Sequence, residues 1–227
     1  MTRGVFITFE GSEGCGKSTQ AARLGARFEK AGLRVLMTRE PGGTAIGEKI
    51  RDLLQFAPES SAMTPETELL LFEASRSQLV REIIRPALER GSVVISDRFF
   101  DSTTVYQGVA RKLEPDVVTM LNNFAAGGDC PDLTVILDLN IAIARARMLR
   151  RVRPVQAPDR MEQEPLEFYE DVSRGYRELA RRDPARIRLV DGSRSPDEIE
   201  NEIWREVSER FPAILAPTKK EGTVGAL

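Results

Sequence analysis

Histidine is missing from all 227 residues, and that gap removes more chemistry than any other. Without it there is no imidazole general base and no Ser–His–Asp triad, and a zinc site is nearly excluded. Cysteine is almost as scarce. Cys15 and Cys130 alone argue against a disulfide framework and suit a reducing cytosol, so a cytoplasmic location is expected. No apolar stretch approaches the roughly 18 residues of a membrane span. The first apolar run begins within a few residues of Met1, so neither a targeting peptide nor a membrane partner is expected. A surplus of one charge is lacking too: 33 Lys+Arg against 35 Asp+Glu leave a net −2, with no cationic excess for wrapping nucleic acid. What remains is ordinary globular composition, 41% hydrophobic and 30% charged, in a chain sized for one large α/β domain.

Short apolar runs recur at Val5 to Phe9, Val35 to Met37, Val93 to Ile95, Leu133 to Leu137 and Ile187 to Val190. Helical spacing fills the intervals: Leu24, Phe28 and Ala31; Phe72, Arg76 and Leu79; Ile199, Ile203 and Val207. Five strands alternating with helices predict a parallel sheet covered on both faces, with ligands gathered at the strands' carboxyl ends. The expected domain covers residues 1–211, and the Pro-, Lys- and Gly-containing tail 212–227 reads as a loose end.

Directly after the first run, residues 11–18 read Gly-Ser-Glu-Gly-Cys-Gly-Lys-Ser, followed by Thr19 and a helical pattern. This is a phosphate loop in the strand-to-helix setting its mechanism requires, and it predicts a P-loop NTPase-type fold. Glycines let successive N–H groups close on a polyphosphate at a helix N-terminus. Gly11, Ser12, Glu13, Gly14, Cys15, Gly16, Lys17, Ser18 and Thr19 are thus the candidate residues for binding a nucleoside triphosphate. Lys17 can reach the β- and γ-phosphates, and the Ser18 hydroxyl can ligate Mg²⁺.

Two further runs end in an acid, Asp97 and Asp138. Asp97 fits the Mg²⁺-organising role, partly through water, and Arg98 beside it supplies an anion-neutralising group. Asp138 reads instead as a helix cap or a structural acid. Glu13, an acid beside a polyphosphate, points either to a second substrate or simply to solvent. Residues 145–160 carry Arg145, Arg147, Arg150, Arg151, Arg153 and Arg160, interrupted by Pro154 and Pro158. That pattern reads as a cationic lid at about residues 148–161, and spacing alone does not decide which arginine meets the transferring phosphate. Phe72 lies one turn from Arg76 and by spacing alone is expected in the core, with base stacking as the other reading.

The motifs together resemble the bacterial thymidylate kinase family over nearly the whole chain. The resemblance rests on Phe9-Glu10-Gly11 entering the loop, Thr38-Arg39-Glu40-Pro41-Gly42-Gly43-Thr44, and Leu71-Phe72-Glu73-Ala74-Ser75-Arg76. It extends through Asp97-Arg98-Phe99-Phe100-Asp101-Ser102-Thr103-Thr104-Val105-Tyr106-Gln107-Gly108, Pro131 to Thr134, and Asp159-Arg160-Met161-Glu162-Gln163-Glu164. It implies ATP- and Mg²⁺-dependent phosphorylation of dTMP to dTDP, by a homodimer as is common in the family. Phe72 would then stack on thymine, reversing the expectation from spacing, while Arg76 and Gln107 would bond its polar edge with Thr103 nearby. Arg98 would grip the acceptor phosphate beside Arg51. Glu40 and Pro41 would wall the site, Glu13 would face the 3′-hydroxyl, and Tyr106 would pack under the sugar. With glycine at position 14, the catalytic arginine would come from the lid, from Arg150, Arg151 or Arg153. The chain departs from the family pattern at Cys15, where alanine is common, and in a longer, Pro-containing lid.

Other functions leave weaker traces. A kinase for a different nucleotide, such as dUMP, shares every motif. A GTPase switch would want an Asn/Thr-Lys-x-Asp string, and the nearest, Thr218-Lys219-Lys220-Glu221, ends in the wrong acid. A DNA-handling ATPase conflicts with the acidic balance.

Overall fold

The computed structural model describes residues 3–150 and 160–215. Five strands, β1 (Phe6–Glu10), β2 (Val35–Arg39), β3 (Val93–Asp97), β4 (Leu133–Asp138) and β5 (Ile187–Asp191), form one parallel sheet in the order β2-β3-β1-β4-β5. All five expected runs are strands. Each extends beyond its apolar run to a charged residue: Glu10, Arg39, Asp97, Asp138 and Asp191. Those charges sit at the carboxyl edge, where the ladder still pairs Phe9 with Asp97 and Asp138 with Asp191. The crossovers from β1 run to one side as far as β2 and to the other as far as β5. A crevice therefore opens at the end of β1.

Strand alternation sorts β1 into two faces. Ile7 and Phe9 pack with Leu24 and Phe28 of α1 (Lys17–Lys30) and with Ile199, Ile203 and Val207 of α9 (Pro196–Arg210). Ala31 lies just past the end of α1 and is exposed, so the helical stripe stops at Phe28. Phe6, Thr8 and Glu10 point the other way, and Thr8 shares a hydroxyl hydrogen bond of 2.9 Å with Thr134 on β4. That second face is covered by α3 (Pro65–Leu79), which runs on through a π-helical turn at Val80–Ile84 into α4 (Arg85–Glu89). It is also covered by α5 (Phe100–Thr103), with its π-helical extension Thr104–Ala110, and by α8 (Leu166–Arg182). The same alternation that buries Phe6 thus delivers the Glu10 carboxylate to this side.

The remaining α-helices among the described residues are α2 (Ala45–Gln55), α6 (Pro115–Ala126), α7 (Ile141–Leu149) and the short α10 (Pro212–Leu215). Ser195 and Glu198 close a capping box at α9, with Pro196 in the first turn. Asn140 caps α7 by accepting from the Ala142 N–H. Asp138 is therefore not the cap; its carboxylate accepts from Arg177 at 2.9 Å. Pro212–Leu215, expected to belong to a loose end, instead form α10, whose Ile214 and Leu215 pack against the α1/α9 core, and the rest of that expected tail lies outside the described residues.

Candidate active site

The phosphate loop leaves β1 at Gly11 and enters α1 at Lys17. Gly11, Gly14 and Gly16 adopt φ values of 128°, 78° and 105°, a region L side chains avoid. At Gly14 a Cβ would lie 2.4 Å from the Ala144 carbonyl oxygen on α7, so this position has no room for the side chain of an arginine. The Lys17 ammonium donates to the carbonyls of Gly11 (3.0 Å) and Ser12 (2.8 Å), which holds its stem across the loop. Cys15 is buried against the core. Ser18 and Thr19 stay exposed at the rim, and the Ser18 hydroxyl donates to the Asp97 carboxylate. A hydroxyl and a carboxylate in contact form a hard oxygen pair suited to Mg²⁺, an ion usually completed by phosphates and water. Among the described residues no cluster of three or more metal-ligating side chains competes with that pair.

Arg98 follows Asp97 in the left-handed region at φ 75°, a costly conformation for a residue with a Cβ. Three hydrogen bonds hold it there: its N–H to Phe9 O (3.0 Å), the Ser96 hydroxyl to its carbonyl (2.7 Å), and the next N–H, of Phe99, to Glu10 Oε1 (2.7 Å). The bend turns the guanidinium back over the loop. Nη1 donates to Gly11 O (3.2 Å), Ser102 Oγ (3.0 Å) and Tyr176 OH (3.3 Å). Nη2 donates to Glu13 Oε1 (2.5 Å) and Tyr106 OH (3.3 Å), and the cation lies 5.1 Å from the centre of the Tyr106 ring. Glu13 also accepts from Tyr106 OH at 2.8 Å, so its side chain is turned toward Arg98 and Tyr106 rather than out to solvent.

Glu10 is the acid that strand-end reasoning passed over, although the rule applied to Asp97 and Asp138 singles it out on β1 as well. Its Oε2 accepts from Ser102 (2.5 Å) and Tyr176 (2.9 Å), two groups that in turn accept from Arg98. Burial, with help from Asp101, pushes its carboxyl up to about 7 against the opposing pull of Arg98 and the Ser102 and Phe99 hydrogen bonds. Tyr176 comes from α8, and nothing in its sequence neighbourhood signals the role.

A fully buried cation anchors the far wall. Arg76 is only 1% exposed. A guanidinium has five N–H donors, and here Nε goes to Glu40, Nη1 to Glu73 and Asn122, and Nη2 to Glu40 and Thr103, at 2.7 to 2.9 Å. All its donors are thus held by protein. Burial raises the Glu40 carboxyl to about 7, Arg76 opposes the rise, and Glu73 and Glu10 add to it. Glu73 Oε2 is sealed without a partner. Gln107 is also buried, and its amide Nε2 donates to Glu68 at 2.7 Å. Phe72, expected in the core from its spacing, is instead half-exposed, because Glu73 and Arg76 take the inward face of α3. Pro41 is buried, and its carbonyl accepts from Arg51 at 3.0 Å.

Of the lid arginines, Arg150 is exposed just past α7, whereas Arg151 and Arg153 lie outside the described residues. Arg147 donates to Gly192 O at 3.1 Å. Arg160 is committed elsewhere: it bonds Leu54 O and the buried Glu68 carboxylate.

Comparison with known proteins fits this geometry. A family model described as thymidylate kinase matches residues 9–203. Thymidylate kinase of Deinococcus radiodurans is 46% identical over 210 residues, covering 92% of this chain and 99% of that protein. Its counterpart from Geobacter sulfurreducens is 49% identical over 192 residues, 84% of this chain and 90% of that protein. A solved thymidylate kinase from Ehrlichia chaffeensis superposes with a TM-score of 0.72 at 30% identity, covering 91% of this chain and 99% of the other. With the phosphate loop, the Arg98 bend and the buried Arg76 cage all falling inside the matched span, this chain belongs to the thymidylate kinase family.

Proposed function

We propose that this enzyme transfers the γ-phosphoryl group of ATP to dTMP, giving dTDP and ADP. One observation carries the reading: the Arg98 guanidinium touches the phosphate loop, at Gly11 O and Glu13, and also Tyr106 on the acceptor side. A single fixed cation is thereby shared between the donor and acceptor phosphates. An acceptor phosphate oxygen, already anionic, attacks the γ-phosphorus in line while the bond to the β-phosphate oxygen breaks. No base has to remove a proton, in keeping with a chain that has no histidine. Lys17 and Arg98 neutralise charge gathering on the transferring group, and their fixed hydrogen bonds keep reorganisation small. Ser18 and Asp97 would hold Mg²⁺, which when bound screens the β- and γ-phosphate charges.

On the acceptor side, half-exposed Phe72 offers its ring to thymine, Thr103 and Gln107 line the base edge, and Arg51 lies beside the phosphate. Arg76 reaches the base by exchanging its Thr103 bond, its one link to a neutral hydroxyl. Residues about 148–161 act as the lid, with Arg150, Arg151 or Arg153 as the arginine that the crowded Gly14 site cannot supply. The kinase domain covers residues 1–211. The active form is a homodimer: Val117, Met120 and Phe124 make an exposed apolar stripe on α6, with Leu70 exposed on neighbouring α3. The working location is the cytoplasm, in line with two free cysteines.

The deciding measurement is ADP release from ATP with dTMP present and absent, beside dUMP, dCMP and a GTP control. Strong stimulation by dTMP is expected. Stimulation by dUMP above that by dTMP, or GTP turnover with no acceptor, would replace this reading.

A further inference from the structure

Glu68 lies on α3 one turn before Phe72 and two before Arg76, and it is 1% exposed. No motif used above gives it a role. Its carboxylate accepts from Gln107 Nε2 (2.7 Å), Arg111 Nε (3.3 Å) and Nη2 (3.2 Å), and Arg160 Nη2. Although burial pushes the other way, Gln107, Arg111 and Arg160 hold the carboxyl below the ordinary glutamate value, so it is ionised at neutral pH.

An ionised carboxylate can only accept hydrogen bonds. The Gln107 amide must therefore turn its NH₂ toward Glu68, since the flipped rotamer would set a carbonyl oxygen against an anion. Its other end is then a fixed acceptor. No donor among the described residues bonds Gln107 Oε1, and it is not one of the oxygens sealed without a partner, which are Gln20 Oε1, Gln55 Oε1 and Glu73 Oε2. Pyrimidines differ at this point: thymine and uracil carry an N3–H donor, whereas cytosine N3 is a bare acceptor.

We propose that Glu68 is a positioning residue for base selection, fixing the Gln107 amide so that its oxygen accepts the N3–H of an imide base and repels cytosine. The inference rests on the dTMP reading above but extends it to a residue one step behind the base.

The test compares kcat/KM for dTMP and dCMP at saturating ATP in four proteins: wild type, Glu68→Gln, Gln107→Ala and the double variant. A glutamine at 68 can donate as well as accept, so both amide orientations become accessible. The dTMP-over-dCMP preference should fall about tenfold or more in Glu68→Gln, mainly through a higher dTMP KM. The KM for ATP should stay within about twofold. In the Gln107→Ala background the Glu68→Gln change should have no further effect on preference, because Glu68 acts through that amide. An unchanged preference in folded Glu68→Gln, or an independent additive effect in the double variant, overturns the proposal. If Glu68→Gln does not fold, the Gln107 side-chain ¹⁵N–¹H signals of the wild type decide, assigned by their loss in Gln107→Ala. Signals that keep their Glu68-bonded shift when dTMP is added support the proposal, and signals that move to a ligand-bonded position refute it. Failure of the wild type to phosphorylate dTMP is a separate result, and it strikes the function rather than the role of Glu68.

Discussion

Lys17 and Arg98 both donate to the Gly11 carbonyl of one loop, yet they hold their places by different means. The lysine leans on two carbonyls of its own loop, whereas the arginine is fastened to side chains from α5, its π-helical extension, α8 and the loop. The donor half of the site is thus made of backbone, bent by glycines within one short stretch of chain. The acceptor half is made of charge drawn from distant segments, with Glu10, Glu40, Glu73 and Arg76 buried and Arg98 half-buried. A backbone-built site should lose chemistry when a side chain goes and keep its fold. A charge-built site should lose both, in proportion to how deeply the group is buried.

The sharpest break in this contrast is Lys17→Ala. Its ammonium supports no other side chain except through a 3.8 Å approach to Cys15 Sγ, so the melting temperature should hardly move. Turnover should fall by roughly 10⁴-fold, the scale of losing a principal charge on the transferring group. Steady-state kinetics beside a thermal melt would check both, and a large loss of stability would show that the loop is less self-supporting than its geometry implies.

Arg98→Ala comes next, with turnover expected to fall roughly 10³-fold. ATP affinity measured by calorimetry should change little, since its two bonds to the loop, at Gly11 O and the Glu13 carboxylate, leave Lys17 and the loop's N–H groups in place. Near-normal turnover would remove Arg98 from the mechanism.

Arg76→Ala tests the other end of the comparison, because it leaves Glu40 and Glu73 buried without their cation. Stability should drop by about 3–4 kcal/mol in urea unfolding, more than for either change above, and dTMP KM should rise. Restoring stability with the double variant Arg76→Met/Glu40→Gln would show that the loss comes from stranded charge.

This division also explains what could be read in advance. Glycine spacing, Lys17 and Ser18 report a local conformation, so the phosphate loop was legible from the chain alone, as were the five strands whose apolar runs form the sheet. The strand ends at Asp97 and Asp138 were legible too, whereas those at Glu10, Arg39 and Asp191 were cut short, because an apolar criterion stops at the charged residue that the ladder still pairs. Phe72 was misjudged from spacing, since a helix that buries Glu73 and Arg76 inverts the usual rule about which residues face inward. Tyr176, Asn122 and Glu68 left no trace, because their roles exist only once α8 reaches β1 and α3 and α6 meet each other and the π-helical extension of α5. Family resemblance supplied Phe72 and Gln107, but it could not show that every Arg76 donor is already occupied.

The smallest expected effect isolates the charge at the centre of the acceptor half. Glu10 has an ordinary carboxyl near 4.5 when unfolded and about 7 when folded. Between those values the folded protein holds a proton that the unfolded chain has released, so stability falls as pH rises through this window and levels off above about 7. Glu40, raised to the same value, adds to the slope. The Glu10 share has an upper bound of about 3 kcal/mol, from 1.36 kcal/mol per pKa unit. Urea unfolding at pH 5, 6, 7 and 8 should show the decline, and Glu10→Gln should make it shallower. The amide oxygen can still accept from Phe99, and its NH₂ can donate to Ser102 or Tyr176, so the Arg98 cradle survives with its proton made permanent. A profile that rises from pH 5 to 7, or the same slope in Glu10→Gln, would mean that Glu10 is ionised throughout. Arg98 would then be held by an ion pair with Glu10 as well as with Glu13.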